Sequence, residues 1–510
     1  MTLGYQVYLR SFQDSDGDGV GDLNGLRRRL DVLAALGVDT LWLSPIHPSP
    51  NADFGYDVAD YDALAPELGS EADFDALLRE AADRGLRVWL DGVFNHTSDQ
   101  HPWFRQSVAG GEHRDWYVWR PGDRPPNRWQ STFRGPAWSR HPANGDWYLH
   151  SFAAAQPDLN WRHPPVAEAI LASMERWFAR GVAGFRLDVF NCYVKDAALR
   201  DNPRRWSWLG LVYGYMAQQH IHDRDQPELL AHLQAMRALA DRYGATLIGE
   251  TLDEQLRYDN AAAWVGDDRL HHAFDFRLLH SPWGAAPFAR AIEQTLARLP
   301  THGHAAWALS NHDFPRAVTR WGGRADRARL LPLLLCALPG ALFLYQGEEL
   351  ALPEARLARA DLRDPPGVQN WPFYKGRDGC RTPMPWTDAP DAGFSSAKPW
   401  LPIPSAHRAL HQAGQSADTA SPWRLTQAAL RLRKQTPALA EGPLAAVGVT
   451  PSGLLHLRRS HAQGDVEAFF NLSDRPAALP PGPPPLLGTH PSPEADRLRP
   501  CEGLLRPAAP

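Results

Sequence analysis

The chain is poor in cysteine, with only four among its 510 residues. The four are widely spaced and include no Cys-x-x-Cys pair of the kind that binds zinc. They are Cys192, Cys336, Cys380 and Cys501. So few thiols do not make a disulfide framework, and disulfides persist mainly in oxidising compartments. We therefore expect reduced thiols and a cytoplasmic location.

Long hydrophobic runs are also lacking, and no secretory leader is expected. The first ten residues, MTLGYQVYLR, contain no basic region followed by an apolar one, so no signal peptide is expected. The most hydrophobic stretch, residues 330–345, is interrupted by two prolines and is too short to cross a bilayer. We expect a protein without a membrane partner.

Neither sign of charge dominates. The 53 basic and 58 acidic residues give a net charge of −5, and no basic cluster marks a nucleic-acid partner. With 44% hydrophobic residues, the chain is long enough for one large core and smaller appended units. Nothing in these numbers indicates an oligomeric state.

What the chain does contain is an alternation of short β-branched or aromatic runs with amphipathic segments, which is typical of βα units. Eight strands are predicted, over residues 5–9, 40–44, 87–91, 184–188, 246–249, 272–276, 305–310 and 341–345. Helices are predicted between several of them, over residues 24–36, 71–84, 165–180, 228–243 and 327–338. Eight such units predict an α/β TIM (β/α)8 barrel, whose chemistry takes place at the C-terminal ends of the strands.

The spacing of these units predicts the domain organisation. Residues 1–98 and 165–434 form the two parts of the barrel, and residues 99–164 are too long for a loop and predict an inserted subdomain after strand three. Residues 435–510 change to short segments typical of a small C-terminal all-β domain.

Three acids, Asp188, Glu250 and Asp313, each end one of the apolar runs. A pair of carboxylates, one to attack the sugar carbon and one to protonate the departing oxygen, is what glycosidic-bond cleavage requires. Each acid alone has a simpler interpretation: an ordinary Arg186–Asp188 pair on one strand face, a loop-facing glutamate, and a helix N-cap.

A separate acidic motif, DSDGDGVGD, spans residues 14–22. Asp14, Asp16, Asp18 and Asp22 alternate around glycines, a spacing that suits a hard cation such as Ca²⁺ or Mg²⁺. An EF-hand is excluded because the twelfth position is Gly25, where a bidentate glutamate is required. The alternative is a solvated acidic turn.

Five motifs together resemble the α-amylase family, glycoside hydrolase family 13. They are DGVFNH at 91–96, QPDLN at 156–160, GFRLD at 184–188, GE at 249–250 and SNHD at 310–313. Within that family, QPDLNW at 156–161, FGYD at 54–57 and GRDGCRTPMPW at 376–386 resemble the oligo-1,6-glucosidase and α-glucosidase branch. That branch trims short glucosides from the non-reducing end.

The resemblance implies a role for each acid. Asp188 is the expected nucleophile, and Arg186 should keep its pKa low. Glu250 is the expected acid/base, and burial and nearby negative charge should raise its pKa. Direct attack implies retention of the anomeric configuration, carboxyl groups about 5–5.5 Å apart, and transglycosylation as a side activity. Asp313 is the expected third acid, which holds sugar hydroxyls.

The resemblance also implies binding residues. His96 and His312 are expected to donate to sugar hydroxyls, and a pair formed by Asp57 and Arg377 to close the pocket behind the terminal glucose. Three further residues are expected to line the same sugar: Tyr56, Phe152 and Gln156. The acidic loop resembles a structural metal loop of the branch, with ligands at Asp14, Asp16, Asp18, the Val20 carbonyl and Asp22. No cofactor is expected for catalysis.

Alternatives remain at the level of substrate and reaction. Val189 resembles the valine of members active on α-1,6 bonds, whereas the segments that follow resemble α-1,4-acting glucosidases. A glucosyl-transferring or isomerising relative, such as a trehalose synthase, would share every catalytic residue. A non-catalytic, transporter-associated subunit would be expected to lack the acids and to carry a membrane segment.

Overall fold

The computed structural model describes residues 2–208, 210, 213–253, 261–491 and 494–509. Eight parallel strands form a closed barrel in which the strands follow one another around the ring in chain order. They are Leu3–Val7, Thr40–Leu43, Arg87–Gly92, Gly184–Leu187, Thr246–Gly249, His272–Phe274, Ala305–Ala308 and Ala341–Tyr345. The predicted TIM barrel and each of its eight strands are confirmed.

The strand boundaries follow the local sequence. Thr246–Gly249 and Ala341–Tyr345 match their predicted limits because a Gly-Glu or Gln-Gly pair ends each apolar run. The first strand begins and ends two residues earlier than predicted. Its apolar run continues past Val7, but Leu9–Ser11 turns into a 3-10 helix, so hydrophobicity alone overestimates where the strand ends.

The helices between the strands are also confirmed, with one change. The segment predicted as a single helix over 24–36 is two helices, Leu23–Arg27 and Leu30–Leu36, the first capped by the Asp22 side chain. Pro332 is accommodated inside Ala325–Ala337. The α-helices of the described residues are Leu23–Arg27, Leu30–Leu36, Glu71–Asp83, Pro102–Val108, Pro164–Arg180, Leu229–Arg242, Arg277–His280, Ala285–Leu296, Ala317–Arg320, Ala325–Ala337, Pro365–Asn370, Ser405–Arg408, Gln412–Ala417, Pro422–Gln435 and Pro437–Ala440.

The chain divides into two compact units. The first comprises Met1–Trp42, Ala76–Arg87 and Phe274–Pro510. Its C-terminal part holds an antiparallel five-stranded sheet of Leu444–Val449, Leu455–Arg459, Val466–Phe470, Leu487–Gly488 and Gly503–Pro507. A two-stranded sheet, Ala477–Ala478 with Arg497–Leu498, accompanies it. The predicted all-β C-terminal part is thus confirmed.

The second unit comprises Leu43–Asp75 and Val88–Ala273. It holds the inserted subdomain, a three-stranded antiparallel sheet of Trp119–Arg120, Trp138–Arg140 and Trp147–Leu149. Trp129, Trp138 and Leu149 pack in its core with Leu199. An insertion after the third strand is confirmed; its limits at residues 99 and 164 stay a prediction.

All four cysteines are free thiols and are buried. Throughout the described part of the chain, no helix has both the length and the apolarity that a bilayer crossing demands.

Candidate active site

Strand register in the second unit brings two of the proposed catalytic acids together. Arg186 lies opposite Asp91 on the neighbouring strand, and Leu187 lies opposite Gly249. The ladder continues one residue further, because the Glu250 amide donates to the Leu187 carbonyl at 3.0 Å. Asp188 and Glu250 therefore leave adjacent strands at the same level.

The guanidinium of Arg186 joins these acids. Its Nη1 lies 2.7 Å from Asp91 Oδ1 and 2.8 Å from Asp188 Oδ1, and its Nη2 lies 2.8 Å from Glu250 Oε2. We call Asp91, Arg186, Asp188 and Glu250 the Arg186 cluster. The side chains of Arg186 and Asp91 are fully buried, whereas those of Asp188 and Glu250 keep 11% and 10% of their surface. The two proposed catalytic acids are thus the members with an exposed edge.

Charge in the Arg186 cluster is uneven, with three carboxyl groups around one cation. Burial lowers the pKa of Arg186, but Asp91, Glu250 and Asp188 together raise it well above its usual value. The guanidinium therefore stays charged at any working pH. Tyr56 completes the surroundings, since its hydroxyl donates to Asp91 Oδ2 at 2.9 Å.

The backbone beside the nucleophile candidate is strained. Val189 has φ 34° and ψ 41°, a left-handed conformation that a β-branched residue rarely adopts. Gly249, before Glu250, is packed so closely that a Cβ atom there would lie 2.4 Å from the Phe190 ring. Strain and close packing of this kind are common where side chains are held for function.

His96 is buried beside Tyr56. Its Nε2 lies 2.9 Å from the Tyr56 carbonyl, and Asn95 Nδ2 donates to its Nδ1 at 3.1 Å. This network assigns the proton to Nε2. Burial lowers the pKa of His96 to about 4, so the ring is neutral at pH 7.

The structure also places Gln156 and Phe152 around His96. Gln156 is fully buried; its Nε2 donates to the Tyr56 carbonyl at 2.9 Å and lies 3.1 Å from His96 Nε2. The Phe152 ring centre lies 5.1 Å from that of His96. Phe152 also packs with Val189. These predicted residues are brought together; direct contact with sugar stays a prediction.

A residue that the sequence did not indicate, Lys195, supports this region. Its buried Nζ lies 2.8 Å from Asp158 Oδ2 and donates to Asn95 Oδ1 at 2.8 Å. Because Asn95 Oδ1 must accept from the ammonium, Asn95 Nδ2 is left to donate to His96. Lys195 therefore fixes the Asn95 amide and, through it, the His96 proton. In the sequence, the only indication of this network is that Asn95 and Asp158 lie within two of the motifs.

Asp57 is held by its own loop. Its carboxylate accepts from the Ser49 hydroxyl at 2.7 Å and from the backbone amides of Ala52 and Asp53 at 2.9 and 3.0 Å. The residue is completely buried, and burial raises its pKa despite these hydrogen bonds. The loop thus holds the Asp57 carboxyl group in a fixed position.

In the first unit, Asp313 is contacted by two arginines. Its Oδ1 lies 3.1 Å from Arg377 Nη1 and 3.0 Å from Arg381 Nη2. Arg377 in turn lies 2.7 Å from Asp364 Oδ1. We call Asp313, Asp364, Arg377 and Arg381 the Asp313 cluster. The Asp313 side chain keeps 28% of its surface, so it is the open member of this cluster.

His312 is held by four neighbours in the same unit. Gln6 Nε2 lies 2.8 Å from its Nδ1, and its Nε2 lies 3.2 Å from Asp313 Oδ2. Tyr8 stacks on the ring at 6.1 Å between centres, and Trp42 meets it edge-on at 6.3 Å. The amide of Gln6 thereby leaves Nε2 as the donor. Gln6 was not predicted, since an isolated glutamine in a strand carries no signal.

The acidic loop brings three of its predicted ligands together. Side-chain oxygens of Asp14, Asp16 and Asp18 lie within 4.8 Å of one another. Asp22 instead accepts from the Ser15 amide and caps a helix. Burial and the neighbouring acids raise the pKa of Asp16, although the Asp18 amide opposes them. Backbone amides and the Ser395 hydroxyl already donate to Asp14. Three clustered carboxylates nevertheless suit a hard cation.

Comparison with known proteins gives consistent matches. The family model described as alpha amylase, catalytic domain, matches residues 6–442. A probable alpha-glucosidase of Rhizobium meliloti is 45% identical over 490 residues, covering 93% of this chain and 89% of that protein. An oligo-1,6-glucosidase of Parageobacillus thermoglucosidasius is 35% identical, covering 84% of this chain and 82% of that protein.

Solved structures are similar over nearly the whole chain. An alpha-glucosyl transfer enzyme superposes with a TM-score of 0.93 at 44% identity, covering 100% of this chain and 99% of the other. The trehalulose synthase of Pseudomonas mesoacidophila gives a TM-score of 0.89 at 30% identity, covering 99% and 98%. An alpha-glucosyl transfer enzyme and a trehalulose synthase therefore share this architecture.

Proposed function

Because this chain belongs to the alpha-amylase family of glycoside hydrolases, in its α-glucosidase branch, we propose that it is a retaining, exo-acting α-glucosidase. Its substrates would be short α-glucosides, from whose non-reducing ends it releases glucose. The observation that carries this proposal is the contact of one guanidinium, Arg186, with both Asp188 and Glu250 at 2.8 Å.

In the first step, Asp188 attacks the anomeric carbon while Glu250 gives its proton to the departing glycosidic oxygen. Arg186 favours the ionised form of Asp188, which the attack needs. With three carboxyl groups around one cation, a proton on Glu250 relieves repulsion, which suits an acid. In the second step, Glu250 takes a proton from water, which attacks the glucosyl–Asp188 ester and regenerates both acids.

The remaining residues bind the glucose unit. Asp313 holds ring hydroxyls and stabilises the distorted ring. His96 and His312 each share their Nε2–H with a sugar hydroxyl, in addition to the Tyr56 carbonyl and the Asp313 carboxylate that these groups already face. Asp57 and Arg377 bind the terminal hydroxyls and leave no room for a further sugar, which would enforce exo-action. The support is that each side chain is held by several contacts in its own unit.

Water and a sugar hydroxyl compete for the same covalent intermediate, so transglycosylation is an expected side activity. A second candidate, mainly transferring or isomerising activity, is favoured by the 44% identity to an alpha-glucosyl transfer enzyme. Val189, beside the nucleophile, carries a methyl group where a threonine would carry a hydroxyl. Such a difference is worth about 1 kcal/mol in linkage discrimination, so mixed α-1,4 and α-1,6 action is expected.

A substrate panel tests the proposal. Purified enzyme is incubated with maltose, isomaltose, sucrose, trehalose and starch, and the products are identified by chromatography. Free glucose from the disaccharides supports hydrolysis, whereas conversion of maltose to trehalose supports the isomerising candidate. Starch should be the poorest substrate. Efficient cleavage inside starch chains would refute the closed pocket.

A matched pair of variants tests the nucleophile. Asp188→Asn should abolish turnover with an unchanged circular dichroism spectrum. Asp201→Asn, which removes a carboxylate from an exposed pair with Arg128, serves as the control and should keep activity. Substantial turnover by Asp188→Asn would remove Asp188 from its role.

Two further properties complete the proposal. The acidic loop at 14–22 holds a structural Ca²⁺ or Mg²⁺ with no part in bond cleavage, supported by the convergence of Asp14, Asp16 and Asp18. The enzyme acts in the cytoplasm, supported by the four free thiols.

A further inference from the structure

Asp364, which the sequence did not indicate as a site residue, makes three hydrogen bonds with Arg377. Its Oδ1 accepts from Arg377 Nη2 at 2.7 Å and from Nε at 3.1 Å, and its Oδ2 accepts from the Arg377 backbone amide at 2.8 Å. The side chain of Asp364 is completely buried. One carboxylate therefore fixes both the backbone and the guanidinium of Arg377.

Asp364 is itself held from behind. Asp378 Oδ2 accepts from the backbone amides of Arg363 and Asp364 at 2.6 and 2.8 Å. Asp378 thus fixes the backbone of Asp364, and Asp364 in turn fixes the backbone of Arg377. Such nested contacts are typical of side chains that hold a functional group in one orientation.

The glycine before Arg377 makes this approach possible. Gly376 has a φ of 74°, and a Cβ atom there would lie 2.5 Å from Asp364 Oδ2 and 2.8 Å from the Gly367 Cα. No other residue leaves room for the carboxylate at the Arg377 amide. The local sequence is therefore adapted to the Asp364–Arg377 contact.

Charge in the Asp313 cluster is balanced, with two arginines and two acids. Arg381 Nη1 lies 3.9 Å from Asp364 and its Nη2 lies 3.0 Å from Asp313. Burial raises the pKa of Asp364, but Arg377 and Arg381 outweigh it and lower the pKa below its usual value. Asp364 is thus ionised, and its removal would leave two neighbouring cations with one acid.

We propose that Asp364 is a positioning residue, which holds Arg377 against Asp313 in the orientation that binds the terminal glucose. The inference rests on the proposed function only for the role of Arg377. Asp364 does not touch the sugar; it acts through the arginine. Without its charge, repulsion between Arg377 and Arg381 and the loss of two side-chain hydrogen bonds would turn the Arg377 guanidinium away.

A double-mutant cycle tests this role, using Asp364→Asn, Arg377→Ala and the double variant. Steady-state kinetics on maltose give kcat and KM, and calorimetry gives the Kd of glucose independently of turnover. Asp364→Asn should weaken glucose binding and lower kcat/KM by about 10- to 100-fold, the effect of hydrogen bonds to a charged group. The double variant should resemble Arg377→Ala, because Asp364 has no role once the arginine is gone.

Glu502→Gln is the matched control. It also removes the charge of a buried carboxylate beside an arginine, since Glu502 Oε1 lies 3.5 Å from Arg499 Nη1 and Oε2 accepts from the Arg499 backbone amide at 2.7 Å. Its kinetics and glucose affinity should equal those of the wild type. A thermal melt of every variant shows whether a loss reflects unfolding.

Two results would overturn the inference. One is an Asp364→Asn enzyme within twofold of wild type while Arg377→Ala loses activity. The other is losses that add in the double variant. If Asp364→Asn does not fold, Asp364→Glu, which keeps the charge on a longer arm, should show weakened glucose binding, and unchanged binding would overturn it. Failure of the proposed function is distinct: Arg377→Ala would then bind glucose normally.

Discussion

Nη2 of Arg186 lies 2.8 Å from Oε2 of Glu250, and both side chains are nine-tenths or more buried. The same guanidinium contacts Asp188 and Asp91. One arginine thus contacts all three carboxyl groups, and it should be required for folding as well as for catalysis.

Replacing Arg186 by Met should destabilise the protein by about 3–5 kcal/mol, because the loss of one partner leaves buried acids uncompensated. Urea unfolding measures the change. The control is Arg128→Met, since the Arg128–Asp201 pair is largely exposed and should contribute at most about 1 kcal/mol. Equal effects of the two substitutions would contradict the account of the Arg186 cluster.

Lys195→Met should also destabilise by about 3–5 kcal/mol, because Asp158 would remain buried without its counter-ion. The double variant with Asp158→Asn should recover part of that loss. Activity should fall in the single variant even at temperatures where it is folded. Without Lys195 the Asn95 amide could rotate, and the His96 proton would no longer be fixed on Nε2. Exposed Lys434→Met is the control, expected within about 0.5 kcal/mol.

Millimolar Ca²⁺ or Mg²⁺ should raise the melting temperature by a few degrees, and a chelator should reverse the shift, because an ion that binds only the folded loop stabilises it. Comparing the two ions at equal concentration identifies the preferred one. Asp16→Ala should abolish the shift and leave kcat at 25 °C unchanged. The exposed Asp60→Ala is the control; loss of its metal response as well would argue against a site at 14–22.

Stability should fall as pH rises from about 4.5 to 8, through two buried acids that follow the last barrel strand. Burial raises the pKa of Glu348 to about 8 and that of Glu349 to about 7, from an ordinary 4.5. The folded state therefore keeps protons that the unfolded chain releases, so this contribution is complete below pH 4.5 and is lost above pH 8.

Glu348→Gln should reduce the fall in melting temperature between pH 5.5 and pH 8.5, because an amide does not ionise. The exposed Glu67→Gln should keep the wild-type pH dependence. An unchanged slope in Glu348→Gln would show that this glutamate does not carry its proton into the neutral range.

Much of the fold was predictable because the barrel strands are short apolar runs with clear ends. Thr246–Gly249 and Ala341–Tyr345 were found to the residue. Local 3-10 turns could not be predicted in this way. Leu9–Ser11 continues an apolar run, and its turn depends on contacts that hydrophobicity does not encode. The break between Leu23–Arg27 and Leu30–Leu36 was missed for the same reason.

At the candidate site, the position of Asp188 and Glu250 directly after two barrel strands could be predicted because both lie in motifs that end apolar runs. Their supporting partners could not. Lys195 pairs with Asp158, 37 positions earlier in the chain, and a lysine in isolation is expected at the surface. Asp364 resembles an ordinary loop acid until its distance to Arg377 is known. Such partners are fixed by tertiary structure.

The central claim is that Asp188 forms a covalent bond to glucose, and trapping that intermediate tests it most directly. The enzyme is incubated with 5-fluoro-α-glucosyl fluoride, digested, and its peptides are sequenced by mass spectrometry. The account predicts a single added fluoroglucosyl group, located on Asp188. A label on another residue, or inactivation without any label, would contradict it.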